Sequence, residues 1–425
     1  MKLPTEFAQR QRLADELHAR PFESVATPGA VLSVATLRGS PAEDAACLAH
    51  LALLQPGAPA AAATATHLSL RCGEVRVRWE RHTEFYSFTF ISDAGPTELT
   101  GCLDPHWLGA LPTGWLAALP GPMIAATQIA LLPCPGEPPH VRSVAPVFGS
   151  EVLVGNRVAD GAATVVTDLR SVQGVTRFVV FDHALNRRRA GRIAQRLIEL
   201  DTYRMMALLS LPVASKRMGE LATEEEQLAS LMDRFRAASD GDESLLAELT
   251  DLAARVEHAM ANHGSRFSAT QAYRGIVDRR LAELREQLVP GLQPLSEFLD
   301  RRFRPAMESC AAASARQAQL SERIARAAQL LQTRAEVERE RQNQALLASM
   351  DKRQGLQLRL QETVEGLSVI AMTYYGVGLA SYLLKPLAKA AGVNEALVTM
   401  IAVPVIGMLV LTSVRRVRRR LVRGE

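Results

Sequence analysis

The fold is decided at the carboxyl end, by EGLSVIAMTYYGVGLASYLLK (365–385) and EALVTMIAVPVIGMLVLTSVR (395–415). Each segment holds a run of 19 uncharged residues, 366–384 and 396–414. A helix rises about 1.5 Å per residue, so about 20 such residues cross the roughly 30 Å hydrocarbon core of a bilayer. Two such runs with only a short connection between them are hard to bury in one water-soluble core. We therefore predict a transmembrane hairpin.

Arginines follow the second run directly, whereas the connection between the runs holds only Lys385 and Lys389. Basic residues beside a span favour the cytosolic side of a membrane, so we expect both chain termini in the cytosol. A nucleic-acid arm is disfavoured because valines and leucines alternate with the arginines. We instead expect contact with anionic lipid. The arginines that we predict to anchor the protein are Arg415, Arg416, Arg418, Arg419 and Arg420.

The composition is that of a folded protein. The chain has 425 residues, of which 48% are hydrophobic and 22% charged, and its net charge is +4. Disorder is excluded as the main state, and the charge is too small to make the whole surface a binder of polyanions. Five widely spaced cysteines without a Cys-x-x-Cys motif indicate a reducing compartment. The first residues lack the apolar core of a secretory signal.

Short β-branched or alternating runs fill residues 28 to 183. They have Gly, Pro or Asp at their borders, as strands do, and RCGEVRVRWE predicts a hairpin around Gly73. Helical patterns are sparse there, PAEDAACLAHLALL (41–54) being the best. We predict an α+β cytosolic domain with a largely antiparallel sheet. The predicted strands are AVLSVATLRG, HLSLRC, EVRVRWERH, EFYSFTFI, MIAATQIALL, EVLVGNRVAD, ATVVTDLR and GVTRFVVFD.

The pattern becomes helical after Asp182. Apolar residues recur at three- and four-residue steps, and we expect Pro212 to end the first helix. The residues from Ala306 to Lys385 contain no proline and, as one helix, would measure about 120 Å. Their apolar stripe is too irregular for a strict heptad, so we expect this stalk to pack on the helices before it and on another subunit as a coiled coil.

Motifs that would carry chemistry are few. His18, in ELHARP (16–21), could act as an acid or base, although a histidine near a proline more often serves a helix end. The nine histidines form no metal-binding pattern, and no nucleotide-binding or nucleophile-elbow motif occurs. We therefore expect no catalytic residue, no metal and no cofactor, and predict that the protein is not an enzyme.

Polar residues in the first apolar run lie on one helical face. Ser368, Tyr375 and Tyr382 are seven residues apart, and Gly376 and Ala380 form a small-x-x-x-small pair. Polar groups at mid-membrane depth face protein or water rather than lipid. Helix packing explains such a face more often than a conducting path does, and both interpretations stay open.

Several segments of the chain, taken together, resemble those of a known family. LADELHARP, GRIAQRLIELDTYRMMALLSLP, RFSATQAYRGIVDRRLAELRE and LQLRLQETVEGLSVIAMTYYGVGLASYLLK, in this order, resemble the bacterial family catalogued as domain of unknown function 3422. Members are described only as membrane-anchored proteins. The resemblance implies a Gram-negative inner-membrane protein and no particular activity.

A weaker similarity is architectural. The predicted plan resembles that of CorA-type magnesium channels, which are pentamers. Those channels have a cytosolic α/β domain, a long helix that enters a first span, and a second span that ends in basic residues. Those channels carry Gly-Met-Asn after the first span, where this chain has LLKPLAK. The difference argues against magnesium selectivity and leaves oligomerisation open.

These observations predict four segments. A cytosolic α+β domain spans 1–185, a helical stalk 186–363, the transmembrane hairpin 364–414 and a basic cytosolic tail 415–425. The predicted function is a non-enzymatic scaffold or interaction module, anchored in the bacterial inner membrane as a homo-oligomer. Its partners are membrane lipids and an unidentified protein, and not nucleic acid. The alternative is a divergent CorA-like ion channel. A third hypothesis is a hydrolase or ligand-binding activity in the 28–183 domain, which would require a pocket with converging histidine and acidic groups.

Overall fold

A computed structural model describes most of the chain. The described residues are 6, 7, 9, 10, 22–57, 62–237, 241–390 and 395–422, without the side chains of 41, 242, 385–390, 395, 398, 399 and 418–422. The segment with Glu16, His18 and Arg20 lies outside them. Contacts divide the chain into two compact units, Met1–Ala328 and Gln329–Glu425. The limits at 185, 363 and 414 stay predictions.

The first unit is built on one eight-stranded sheet with the order β2-β3-β4-β1-β5-β8-β7-β6. Among the described strands, β5 and β8 are the only neighbours that pair in parallel, and the other neighbours are antiparallel. Each run that the sequence marks as a strand forms one, so the largely antiparallel sheet is confirmed. The strands are β1 Gly29–Leu37, β2 His67–Cys72, β3 Val75–Arg81, β4 Phe85–Ser92, β5 Met123–Pro133, β6 Val154–Val158, β7 Ala163–Val172 and β8 Val175–Asp182.

Seven α-helices are described. They are α1 Pro41–Ala52, α2 Val141–Phe148, α3 Arg187–Leu208, α4 Ser210–Ala237, α5 Asp242–Leu284, α6 Leu295–Ala390 and α7 Glu395–Val422. Helix α2 was not predicted, because it is only eight residues long and has Pro146 inside it. The segment DPHWLGAL forms a 3-10 turn at His106–Ala110.

Two layers of apolar side chains cover the two faces of the sheet. On one face, Leu51 of α1 packs with Trp79, Phe88 and Phe90 of the strands. On the other face, α3 packs Leu197 and its neighbours against the centre of the sheet. Helix α3 can approach the chain closely because residue 191 is glycine. A Cβ atom there would lie 1.8 Å from the carbonyl oxygen of Glu23.

Helices α4, α5 and the first part of α6 pack together in the same unit. The buried guanidinium of Arg217, on α4, donates to Glu224 at 2.7 Å and to Gln317 of α6 at 3.2 Å. Arg316 of α6 donates to Glu225 of α4. Apolar residues of α6, including Leu320 and Ile324, are buried here.

One proline does not end a helix as the sequence predicted. Pro212 does not end α3, because α3 ends at Leu208 and Pro212 lies in the first turn of α4. A proline fits there, since first-turn amides have no intrahelical acceptor. Pro305 lies inside α6, because that helix begins earlier in the chain, at Leu295. The amide of Leu295 donates to Asn156 at 2.8 Å, and that of Ser296 to Glu286 at 3.2 Å.

The second unit contains the rest of α6, and α7. The side chains from 335 to 364 are all exposed. Two helical segments are long and apolar enough to cross a membrane. One lies within Leu295–Leu384 and the other is Met400–Val417, and no part of either apolar window is buried.

Candidate functional site

Strands β3 and β4 present different chemistry on their two faces. Their residues alternate, and one set, including Trp79 and Phe88, enters the apolar core beneath α1. The alternate residues point toward α3 and are mostly polar. They include Arg78, Glu80 and Ser87, each mostly buried. A sheet face covered by a helix is normally apolar, so this polar surface marks a candidate site.

The sheet register joins these residues into a polar row across four strands. Arg78 of β3 lies opposite Thr89 of β4, which lies opposite Ser33 of β1, which lies opposite Thr127 of β5. The Ser33 and Thr89 hydroxyl oxygens are 3.3 Å apart, and Thr127 donates to Asp201 at 2.9 Å. In the next row, Glu80 lies opposite Ser87.

Helix α3 carries a matching polar stripe. Gln195, Glu199 and Thr202 follow one another at four- and three-residue steps, so they share a helix face. The amide of Gln195 donates to Glu199 at 2.8 Å. Arg280 of α5 donates to the other carboxylate oxygen of Glu199 and to Glu283 at 2.9 Å.

A cavity of about 330 Å³ separates the polar row from the polar stripe. Its wall includes Arg78, Glu80, Ser87 and Thr89 from the sheet. Its other wall includes the α3 stripe and Arg280. Pockets for small molecules begin at about this size. The arrangement can therefore hold a small polar molecule by hydrogen bonds.

Arg78 and Arg280 are both neutralised by carboxylates. Arg78 donates to Glu80 at 2.8 Å, and Arg280 is paired with Glu199 and Glu283. Within the described residues, no group of three or more His, Cys, Asp or Glu side chains could hold a metal ion. The cavity wall therefore offers a bound molecule hydrogen-bonding groups rather than an excess of positive or negative charge.

All five cysteines are free thiols. Burial, the largest cause, raises the pKa of Cys47 to about 12 and that of Cys102 to about 11. Burial also raises the pKa of Cys310. These three thiols stay protonated near neutral pH and are poor nucleophiles.

The residues of the candidate intramembrane polar face lie in α6. Tyr375 and Tyr382 are exposed and line a groove of about 700 Å³ with Tyr374, Gly378 and Val403. Ser368 is exposed, and its hydroxyl donates to the carbonyl oxygen of Val364 at 2.9 Å. Ser368 is not among the residues that line this groove.

The arginines that the sequence predicts to anchor the protein lie at the end of α7. Arg415 and Arg416 are exposed on the helix. Arg418, Arg419 and Arg420 continue the helix, but their side chains lie outside the described residues.

Sequence reasoning missed the residues of the cavity. The sequence did contain a pattern that indicates them. The four- and three-residue steps between Gln195, Glu199 and Thr202 put three polar residues on one face of a helix that was expected to pack through apolar residues. The alternation in β3 and β4 was taken only as a sign of strands.

Comparison with known proteins assigns nearly the whole chain to one family. A family model described as "Protein of unknown function (DUF3422)" matches residues 5–421. No curated protein matches the chain. No solved structure matches it either.

Proposed function

The chain belongs to the DUF3422 family of proteins of unknown function, and from its geometry we propose that it is anchored in a membrane by its last two helices. In this proposal, the apolar parts of α6 and α7 cross the bacterial inner membrane as a hairpin. The sheet and the helices of the first unit stay in the cytosol.

The exposure of the apolar windows in α6 and α7 carries this proposal. Ile370 and Met408 are 70% and 72% exposed, in helices whose apolar windows are unburied throughout. Leaving one large apolar side chain in water rather than burying it costs about 1.5–3 kcal/mol. Many such side chains need an apolar medium, and a bilayer provides one.

The two helices also contact each other through small residues, as membrane helices do. A Cβ atom on Gly376 of α6 would lie 2.9 Å from Ile406 of α7, and one on Gly407 would lie 3.6 Å from Thr373. These close approaches support two neighbouring antiparallel spans. Within each helix the backbone satisfies its own hydrogen bonds, as lipid requires.

The arginines at the end of α7 support an orientation of the hairpin with both chain termini in the cytosol. Arg415 and Arg416 begin the basic end of α7, and more arginines follow them, whereas the connection holds two lysines. The positive-inside bias then favours both termini in the cytosol and contact of the arginines with anionic lipid.

Reporter fusions test the hairpin. Alkaline phosphatase, which is active only outside the inner membrane, would be fused after residue 394 or after residue 425. We expect activity for the first fusion and none for the second, because the second span returns the chain. The matched fusion of a fluorescent protein that matures only in the cytosol should give the opposite result. Phosphatase activity after residue 425, or recovery of the full chain in a detergent-free supernatant, would overturn the proposal.

We further propose that the protein is a non-enzymatic scaffold that associates with a second copy of itself through residues 335–364. This segment is exposed throughout and includes Leu346, Met350 and Leu360. It carries five acidic and five basic residues, so identical copies do not repel one another. Anchoring would hold the copies in parallel and raise their local concentration.

Cysteine cross-linking in native membranes tests the self-association. Leu360→Cys should form a disulfide-linked species after oxidation, and Asp351→Cys, on the opposite helix face, should form much less. Equal cross-linking at both positions would contradict a specific interface. The mass of the linked species measures the number of subunits.

The divergent CorA-like channel is the alternative. It requires Ser368, Tyr375 and Tyr382 to line an ion path. Liposomes that contain the full chain and show no ion flux would remove it.

A further inference from the structure

We propose that the cavity between the sheet and α3 binds a small, uncharged, polyhydroxylated molecule the size of a monosaccharide. This inference goes beyond the anchoring function and does not depend on it. The cavity lies wholly within the first unit, whose limits are Met1–Ala328.

The first argument is that polar groups occupy positions where this fold buries apolar ones. Elsewhere α3 meets the sheet through residues such as Ile193 and Leu197, both nearly inaccessible. Around the cavity the same helix presents Gln195, Glu199 and Thr202 beside Ala194 and Ile198. Gln195 and Glu199 are hydrogen-bonded to each other, whereas no described residue bonds to the Thr202 hydroxyl. Burying a polar group without a hydrogen bond costs free energy, so a purely structural interface would not favour a threonine there.

The second argument is that two residues of the cavity wall, although mostly buried, have hydroxyls that bond to no described residue. Ser87 is 7% exposed and Thr202 is 5% exposed. Neither hydroxyl has a hydrogen-bond partner in the part of the chain that the structure describes, and both side chains line the cavity. They lie on opposite walls, one on β4 and the other on α3. A molecule between them with several hydroxyl groups would satisfy both.

The third argument concerns charge. One Glu80 carboxylate oxygen accepts a hydrogen bond from Arg78 at 2.8 Å. The other oxygen can accept from a ligand hydroxyl, as carboxylates in polar sites do. Both guanidiniums are already paired with carboxylates. A phosphate or carboxylate on the ligand would meet an environment already rich in carboxylates, so an uncharged ligand fits better.

Size agrees with this class of molecule. A volume of about 330 Å³ exceeds the share of a single water, about 30 Å³ in the liquid, by roughly tenfold. It lies at the lower end of the range for small-molecule pockets. Water alone is the competing occupant, and the test distinguishes it from a ligand.

Binding is measured with the full chain in phospholipid nanodiscs, so that no sugar-based detergent competes. The probes are neutral hexoses and hexitols, with hexose 6-phosphates as charged counterparts. We expect at least one neutral probe to give saturable binding in saturation-transfer NMR and to raise the midpoint of thermal unfolding. The corresponding phosphate should bind at least about tenfold more weakly.

A single variant separates binding from folding. Thr202→Val keeps the shape of the side chain and removes a hydroxyl that has no partner, so the midpoint of unfolding should be equal to or above that of the natural chain. Its affinity for the neutral probe should fall about tenfold or more. Thr250→Val is the matched control, because the Thr250 hydroxyl is exposed and donates to Leu246 of its own helix.

Three outcomes would overturn the proposal. They are no binding of any neutral probe up to about 10 mM, tighter binding of a phosphorylated probe, and unchanged affinity in Thr202→Val. The first outcome would mean that the cavity holds water only. None of these outcomes bears on whether the last two helices cross a membrane, which the reporter fusions decide separately.

Discussion

Two regions of the molecule carry large apolar side chains with opposite exposure. In the first unit, Leu197 is fully buried between α3 and the sheet. In the second unit, Leu379 is 67% exposed, and the apolar windows around it are unburied.

The difference shows what each region needs from its surroundings. The first unit supplies its own apolar partners, because strands and helices from many parts of the chain meet there. The second unit has two helices, and two helices cannot bury all of their own surface. Its apolar side chains are therefore available to lipid or to another protein.

Matched leucine substitutions should give the largest difference between the regions. Leu197→Ala should lower the free energy of unfolding by about 2–5 kcal/mol, because it leaves a cavity in a packed core. Leu379→Ala should leave the stability of the first unit unchanged. Tryptophan fluorescence during urea unfolding measures this, since Trp79, Trp107 and Trp115 all lie in the first unit. Equal losses would mean that Leu379 is also held by the protein core.

A polar substitution in the first unit should have a smaller effect. Asp44 accepts hydrogen bonds from Arg38 at 2.8 and 2.9 Å, from Arg81 at 2.9 Å and from Tyr86 at 2.5 Å. The hydrogen bonds from Arg38, the largest cause, lower the pKa of Asp44 from 3.8 to about 2. At about 1.36 kcal/mol for each pKa unit, Asp44→Asn should cost about 2 kcal/mol at neutral pH.

The pH dependence of that loss follows from the direction of the shift. Because the folded-state pKa of Asp44 lies below the unfolded value, its contribution is complete above about pH 4 and disappears as the pH falls toward 2. The difference in stability between the natural chain and Asp44→Asn should therefore shrink over this range. The control is Glu74→Gln, at an exposed carboxylate, which should cost little at any pH. A difference that stays constant down to pH 2 would contradict the assigned cause.

Much of the fold could be predicted from local patterns. The eight strands have alternating or β-branched sequences with turn residues between them, and the hairpin turn at Gly73 has a φ of 57°, which glycine adopts without strain. Helix α2 could not be predicted, because eight residues with an internal proline give no clear period. Its end is set by Gly149, with a φ of 64°, and its start by the His140 ring, which accepts from the amide of Arg142.

The candidate site depends on contacts that local patterns do not contain. Ser33, Thr89 and Thr127 lie side by side only because β1 is placed between β4 and β5. They are tens of residues apart in the chain, and a polar residue in an alternating strand is normally expected to face solvent. Whether that face of the sheet is exposed to solvent or lines a cavity depends on the helix packed against it, α3. No periodicity in β3 or β4 specifies the partner.

The last test concerns the geometry of the two apolar helices and should not change the first unit at all. Gly407 of α7 faces Thr373 of α6, since a Cβ atom at 407 would lie 3.6 Å from a methyl group of Thr373. Cysteines at both positions should therefore form a disulfide under mild oxidation, because the sulfur at 373 can occupy the place of a methyl group that lies 3.6 Å from the Cβ position of residue 407. Labelling with a maleimide polymer after denaturation should show two fewer reactive thiols than before oxidation.

The control pair places the first cysteine one residue further along α6. Tyr374 is 75% exposed, and one helical step turns its side chain by about 100° away from α7. Tyr374→Cys with Gly407→Cys should therefore keep both thiols free. In both pairs, the tryptophan unfolding curve of the first unit should match that of the natural chain, because the five native thiols and the sheet are untouched. If the control pair closed as readily as the first, the helices would not be held in one rotational setting. The small residues at 376 and 407 would then serve some purpose other than close packing.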